Sequence, residues 1–283
     1  MIYHYTSIET LKKIIMNKTI RLNRMDKVDD KTESESFHGI KLGKYLFVSS
    51  WTRDNDENLL LWERCAVDHT GVRIGLPEHM FKMKYVSSSM YENGIFNGIK
   101  LYGENDLLLT PEEVFTFQYE ILPIFTQWDN FMIDMEYVDD VTSVKNYIEE
   151  IANSAEGTKK IVLSGNWLKK AAGVKNKIWK QQNEVRFVLI IFPSLPIINM
   201  GGYANPFLGS KNIEYKIESI LRGNQLPIDY YDLSLDDNAL NNIEITFGAA
   251  CKDCDKQSII ELTSQCCLTP VIKNSILTGT LRK

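Results

Sequence analysis

The chain has no uninterrupted apolar run approaching the roughly 18 residues that would read as a membrane-spanning helix. Its first residues, MIYHYTSIET, lack the basic-then-apolar pattern of a secretory signal. Cysteine is scarce and odd in number, five among 283 residues, which speaks for reduced thiols rather than a disulfide framework. Positive charge is not in surplus: 32 Lys and Arg stand against 37 Asp and Glu, a net charge of −5. That argues against a protein that coats nucleic acid by bulk attraction and leaves room only for a local basic groove. Repeats, low-complexity blocks and an obvious linker are missing too. The expectation is a soluble, cytoplasmic protein with no membrane partner.

What is present is ordinary in bulk. Hydrophobic residues make up 44% and charged residues 24%, the proportions of a globular domain, and the length allows a sizeable core. The sequence CKDC followed by CC invites a zinc reading of Cys251, Cys254, Cys266 and Cys267. Adjacent cysteines rarely reach one tetrahedral ion without strain, and no His lies nearby to replace one, so no metal is expected.

Along the chain, MIYHYTS has strand composition. SIETLKKIIMNKTIRL reads as a helix capped at Ser7, with Ile8, Leu11, Ile14 and Ile15 as its apolar stripe. KYLFVSSW, GVRIGL and NIEITFG read as strands, NDENLLLWERCAVDH and DKQSIIELTSQ as helices, and SILTGTL as a terminal strand. In the middle, Pro111 opens a helix in TPEEVFTFQYEIL. DDVTSVKNYIEEIANSA has the period of an amphipathic helix, with Val141, Val144, Ile148 and Ile151 on one face. A basic segment over 159–177 and strand-like pieces after Pro196 complete the pass. The organisation expected is one α+β domain, 1–283, with a less regular, partly helical insertion at about 85–170.

The run KIWKQQNEVRFVLIIF starts polar and ends fully apolar. As a strand it would point Gln182, Glu184 and Arg186 to one face, either as an ion-pair ladder or as the lip of a cleft. Other polar clusters fall at strand ends or in adjoining loops: YHYTS, DDKTE, and SSW with LWERCA. Taken in order with IRLNRMDKV, with FVSSWTRDNDENLLLWERCAVDHTGVRIGL, and with Lys175, Trp179, Gln182, Glu184 and Arg186, these stretches resemble the bacterial domain of unknown function 2971 family. The resemblance runs from residue 3 to the ITFGAAC and SIIEL segments and is weakest from about 85 to 160.

That family is in turn distantly similar to ADP-ribosyltransferases, which cleave the nicotinamide–ribose bond of NAD and pass ADP-ribose to an acceptor. The resemblance implies a split, mixed or antiparallel sheet with flanking helices. It implies NAD as substrate, no metal, a protein or nucleic-acid acceptor, and a setting among toxins or phage defence. It assigns catalysis to Glu184, Gln182 and His4. To NAD binding it assigns His4, Tyr5, Thr6, Ser49, Ser50, Trp51, Trp62 and Arg186. The second motif lacks its third hydroxyl, and related sequences more often carry Glu where this chain has Gln182.

A physical reading fits these roles. Loss of nicotinamide leaves a ribosyl oxocarbenium ion, which a fixed carboxylate such as Glu184 stabilises. His4 would hold a ribose through its ring nitrogens, Ser49 or Ser50 would orient Glu184, and Trp51 or Trp62 would stack on a ring. Gln182 would position the acceptor's nucleophile. Plainer readings stand beside them. His4 is a satisfied half-buried histidine, and Trp51, Trp62 and Trp179 are core residues. Glu184 and Arg186 form a ladder with Arg64 or Arg73. Asp29, Asp30 and Glu33 form a solvated loop or partner Arg186. On these readings the protein is a catalytically inactive nucleotide-binding or protein-interaction domain.

Overall fold

The most apolar stretch of the chain becomes the strand around which the others gather. In the computed structural model, which describes residues 1–30, 33, 41–96, 99–122, 131–144, 148–153, 159–163, 167–194 and 210–280, that stretch is Glu184–Pro193, and every residue of it is buried. Ten strands form the central sheet. We number them β1 (Ile2–Thr6), β2 (Thr19–Arg24), β3 (Leu46–Thr52), β4 (Val72–Leu76), β5 (Tyr119–Leu122), β6 (Met132–Asp134), β7 (Glu184–Pro193), β8 (Tyr230–Ser234), β9 (Glu244–Phe247) and β10 (Val271–Asn274).

Strand β7 has β3 along one edge and both β6 and β5 along the other. A strand enclosed in this way carries apolar residues on both faces, which is why it reads as a continuous run and not as an alternation. The path runs β6-β7-β3-β1-β4-β9-β10, with β2 joining β3 and β8 joining β2. All pairings in this sheet are antiparallel except β9 with β10.

Four helices flank the sheet near the site or at its ends: α1 (Ile8–Asn17), α2 (Leu59–Arg64), α3 (Ser210–Arg222) and α4 (Asp253–Gln265). The Ser7 hydroxyl accepts from the Thr10 backbone N–H and caps α1, and Ile8, Leu11, Ile14 and Ile15 are its buried stripe, as the spacing indicates. No helix among the described residues is long and apolar enough to cross a membrane.

One feature of the sheet positions the site. β1 and β3 share a single register pair, Tyr3↔Thr52. Further back along the same edge of β3, β2 takes over at Val48 and Phe47. Among the described residues, the stretch Ser49–Trp51 therefore has β7 on one side and no strand on the other. The sheet forks there, with β1-β4-β9-β10 as one arm and β2-β8 as the other.

The middle of the chain departs from expectation. The helix read over 139–155 is a four-residue helix, Val141–Val144, followed by Ile148–Asn153, which pairs antiparallel with Lys159–Leu163. Residues 145–147 and 154–158 lie outside the described residues. Branched residues at Ile148 and Ile151 suit a strand as well as a helix, and a pairing partner decides between them. The helix opened by Pro111 stops at Val114, and YEIL becomes β5. Elsewhere the described residues of 85–170 form mostly short strands, and β5 and β6 extend the central sheet. The SILTGTL stretch is turn over its described part, and the last strand precedes it, parallel to β9. Of the stretch between Pro196 and NIEITFG, expected to hold strand-like pieces, residues 195–209 lie outside the described residues and Tyr230–Ser234 is the strand β8. Residues 210–222 are instead the helix α3, whose Ile213, Ile217, Ile220 and Leu221 recur at helical spacing in the sequence.

Candidate functional site

A cavity of about 640 Å³ opens in the fork, a size typical of small-molecule sites. β1 contributes Tyr3, His4, Tyr5 and Thr6 to its wall, and β3 contributes Ser49, Ser50, Trp51 and Thr52. Glu184 and Arg186 come from β7, with Lys175, Trp179 and Gln182 from the segment before it. Asp29, Asp30 and Glu33 close another side, and Lys13, Asn17, Arg21 and Asn23 line the far end.

The wall includes a buried quartet of charges: Glu33, Lys175, Glu184 and Arg186 are exposed by 2%, 6%, 7% and 1%. Arg186 Nε donates to Glu184 Oε1 at 2.5 Å, and Arg186 Nη1 pairs with Glu33 and reaches the Ala172 carbonyl at 3.2 Å. Lys175 Nζ lies 2.9 Å from Glu184 Oε2 and 3.1 Å from Glu33 Oε1. Burial alone would push the Glu184 carboxyl up. The Arg186 and Lys175 charges, with hydrogen bonds from Arg186 and Ser50, outweigh it and hold the group at about 2. Burial likewise opposes the charged form of Arg186, and the two carboxylates reverse it, so Arg186 stays protonated. Of the two arginines expected as ladder partners, Arg73 binds the Asn55 carbonyl and lies over the Tyr3 ring, while Arg64 lies over Trp179. The quartet's partners are Lys175 and Glu33.

The row of Gln182, Glu184 and Arg186 is not a strand row throughout. Lys177–Gln182 is a 3-10 helix, and Asn183 turns the chain into β7 in a left-handed conformation (φ 40°, ψ 55°). Asn tolerates that region better than most residues. Gln182 still faces the cavity, because its Oε1 accepts from Lys175 Nζ at 2.8 Å.

His4 Nδ1 lies 2.8 Å from the Ser50 carbonyl oxygen, part of the β3 edge left without a strand. A carbonyl only accepts, so Nδ1 carries the proton and Nε2 of the neutral ring is an acceptor. Burial lowers the His4 pKa, against the opposing effect of the Ser50 bond. By register Tyr3, Thr52 and Glu184 share one face, which sets His4 one step out of phase with Glu184. Both border the same cavity because β1 and β3 have parted.

The tryptophans sort differently from the expectation of ring stacking. Trp62 does not line the cavity: it is fully buried in a separate cluster, donates to Glu57 Oε2 at 2.9 Å and packs on Tyr5 and His69. Trp51 is 2% exposed, its Nε1 bonded to Ser49 Oγ at 3.1 Å and its ring in the main core, so it has no free face. Trp179, read as core, is the half-buried ring at the cavity, with Arg64 4.7 Å and Lys175 5.1 Å from its centroid. Cys65 also lines the wall, and burial, with Asp29 and Glu184 nearby, pushes its thiol up, away from thiolate chemistry.

The structure thus brings His4, Tyr5, Thr6, Ser49, Ser50, Trp51, Gln182, Glu184 and Arg186 to one cavity and leaves Trp62 outside it. Among the described residues no group of His, Cys, Asp and Glu is placed to hold a metal ion. Sequence reasoning gives no site role to Lys175 and leaves Glu33 as either a solvated loop residue or a partner of Arg186; it is the latter. Chemically, the cavity offers a fixed anionic carboxylate, a neutral imidazole acceptor, hydroxyls and an amide. Compared with family models, curated proteins and solved structures, the chain matches none.

Proposed function

We propose that the protein consumes NAD in an ADP-ribosyltransferase-like reaction, holding the nicotinamide-bearing ribose between His4 and Glu184 and passing ADP-ribose to a macromolecular acceptor. The observation that carries this reading is a carboxylate kept ionised in the wall of a cavity, at the point where the sheet forks. The fork also supports the split-sheet core that the sequence resemblance implies.

In the reaction the ribose C1′–N bond breaks and its electron pair leaves with nicotinamide. The acceptor's lone pair then forms the new bond at C1′, and its proton passes to solvent. Positive charge develops on the ribose between these events, and Glu184 stabilises it through space. Arg186 and Lys175 hold the Glu184 carboxyl well below the ordinary carboxylate range, which makes it a weak base. Its role is electrostatic, and it accepts a hydrogen bond from a ribose hydroxyl. His4 Nε2 accepts from a second hydroxyl without titrating, and Gln182 faces the incoming nucleophile.

A second reading is favoured by the engagement of both Glu184 oxygens by buried cations. On it the quartet is purely structural, and the cavity binds a nucleotide or a protein segment without chemistry. Nicotinamide release and label transfer from NAD, measured for wild type and Glu184→Gln beside calorimetric NAD binding, separate the two. The enzyme reading expects release by wild type and a ~10²-fold or greater loss in Glu184→Gln, since one preorganised contact is worth about 3–4 kcal/mol in the transition state. NAD binding without release by wild type supports the second reading. No binding sinks the NAD proposal.

A further inference from the structure

The geometry points to Lys175 as the positioning residue of this site: its ammonium orients the Gln182 amide and the Glu184 carboxylate together, turning the Gln182 amide nitrogen to the cavity as a donor. The inference rests on the proposed function only in taking Gln182 and Glu184 as the pair that faces the ligand.

An ammonium has three N–H donors and no acceptor. Lys175 donates to Gln182 Oε1 at 2.8 Å and to Glu184 Oε2 at 2.9 Å, and it is ion-paired with Glu33 Oε1 at 3.1 Å. The amide orientation of a glutamine follows from its partners. Because Lys175 only donates, the atom facing it is the carbonyl oxygen, and the –NH2 is on the other branch. No described residue accepts from that nitrogen, although Gln182 lines the cavity. The Glu184 plane is fixed in the same way, one oxygen on Arg186 and the other on Lys175.

The two ends of this tie differ in how they are anchored. Lys175 sits in Val174–Asn176, which pairs parallel with Glu136–Val138 as a two-stranded ribbon of its own. That ribbon is tied to the start of β7: the Met135 N–H donates to the Glu184 carbonyl at 3.1 Å, and the Glu184 N–H donates to the Tyr137 hydroxyl at 2.8 Å. Gln182 ends a 3-10 turn outside the ribbon, where backbone hydrogen bonds hold a side chain less firmly. The Lys175 bond ties it to the ribbon and, through the ribbon, to Glu184. A planar guanidinium presents its donors in a fixed fork and does not reproduce the two bonds that a compact ammonium makes here to Gln182 and Glu184.

The test compares wild type, Lys175→Met and Lys175→Arg. Side-chain 15N–1H signals of Gln182 and the 13C carboxyl titration of Glu184 are read in all three, with kcat and KM for nicotinamide release. Positioning predicts a shifted, averaged Gln182 amide in both variants. It also predicts kcat lower by ~10–100-fold with KM changed by less than about 3-fold, and no rescue by Lys175→Arg. A Lys175→Arg protein that matches wild type in amide signal and kcat overturns the inference, because charge alone would then suffice. If Lys175→Met does not fold, Lys175→Arg decides. If wild type releases no nicotinamide, the NAD reading falls by itself, and the amide and carboxyl signals still decide whether Lys175 positions the pair.

Discussion

At one end of β7, Phe192 lies opposite Glu120, whose buried carboxylate is ion-paired with the buried Lys216 of α3. At the other end, Glu184 and Arg186 join Lys175 and Glu33 in a buried group of four. Both arrangements take charge out of water, which costs several kcal/mol per ion before pairing offsets it. Neither Glu120 nor Lys216 lines the cavity, whereas all four members of the quartet do. A pair away from the cavity joins a helix to a strand, a task apolar side chains perform as well. A quartet open to a cavity fixes the position and charge state of groups a ligand meets, and apolar side chains cannot do that.

The largest expected break in this comparison is Arg186→Met. It takes from Glu33 and Glu184 the buried arginine they share, and denaturant unfolding should show a loss of about 3–5 kcal/mol. A loss below about 1 kcal/mol would mean that the quartet is not the buried, coupled unit described.

Acid should act next most strongly. The folded-state pKa of Glu184, about 2, lies below its ordinary 4.5. Its stabilisation is therefore complete above pH 4.5 and is lost as the pH falls through about 2. The size is on the order of 3 kcal/mol by linkage. Stability measured against pH should lose this component of its slope in Glu184→Gln. An unchanged profile would show that Glu184 titrates normally.

The smallest effect is expected from replacing the pair away from the cavity, Glu120→Leu with Lys216→Met. Apolar substitutes for both partners should leave stability within about 1–2 kcal/mol of wild type and NAD consumption unchanged. Loss of NAD consumption in a well-folded double variant would erase the distinction between the two ends of β7.

Local signals carry much of this fold in the sequence. Ser7 and the stripe of α1 are local, and so are the apolar runs of β3, β4 and β9. The gathering of His4, Ser49, Ser50, Gln182, Glu184 and Arg186 at one cavity matches the expectation that the order and spacing of the motifs together give. Non-local matters stay hidden. Nothing in the composition around Lys175 or Glu33 distinguishes a buried ion from a solvated one, since the partners that make burial tolerable lie far away in sequence. Glu33 proves to be the partner of Arg186, one of the two readings open for it. Trp62 and Trp179 exchange roles because an aromatic ring in a sequence does not say which of its faces is covered. Asn183 does carry a signal: a left-handed turn there breaks the alternation that would have put Gln182 on the strand.

The central claim is that the ribose bearing nicotinamide lies between His4 and Glu184. A crystal structure with an NAD analogue whose glycosidic bond cannot break tests it most directly. We expect ribose hydroxyls within roughly 2.6–3.2 Å of both His4 Nε2 and a Glu184 carboxylate oxygen, with the Gln182 amide nitrogen directed towards C1′. An analogue bound away from the fork, or one whose ribose contacts neither residue, would contradict the claim.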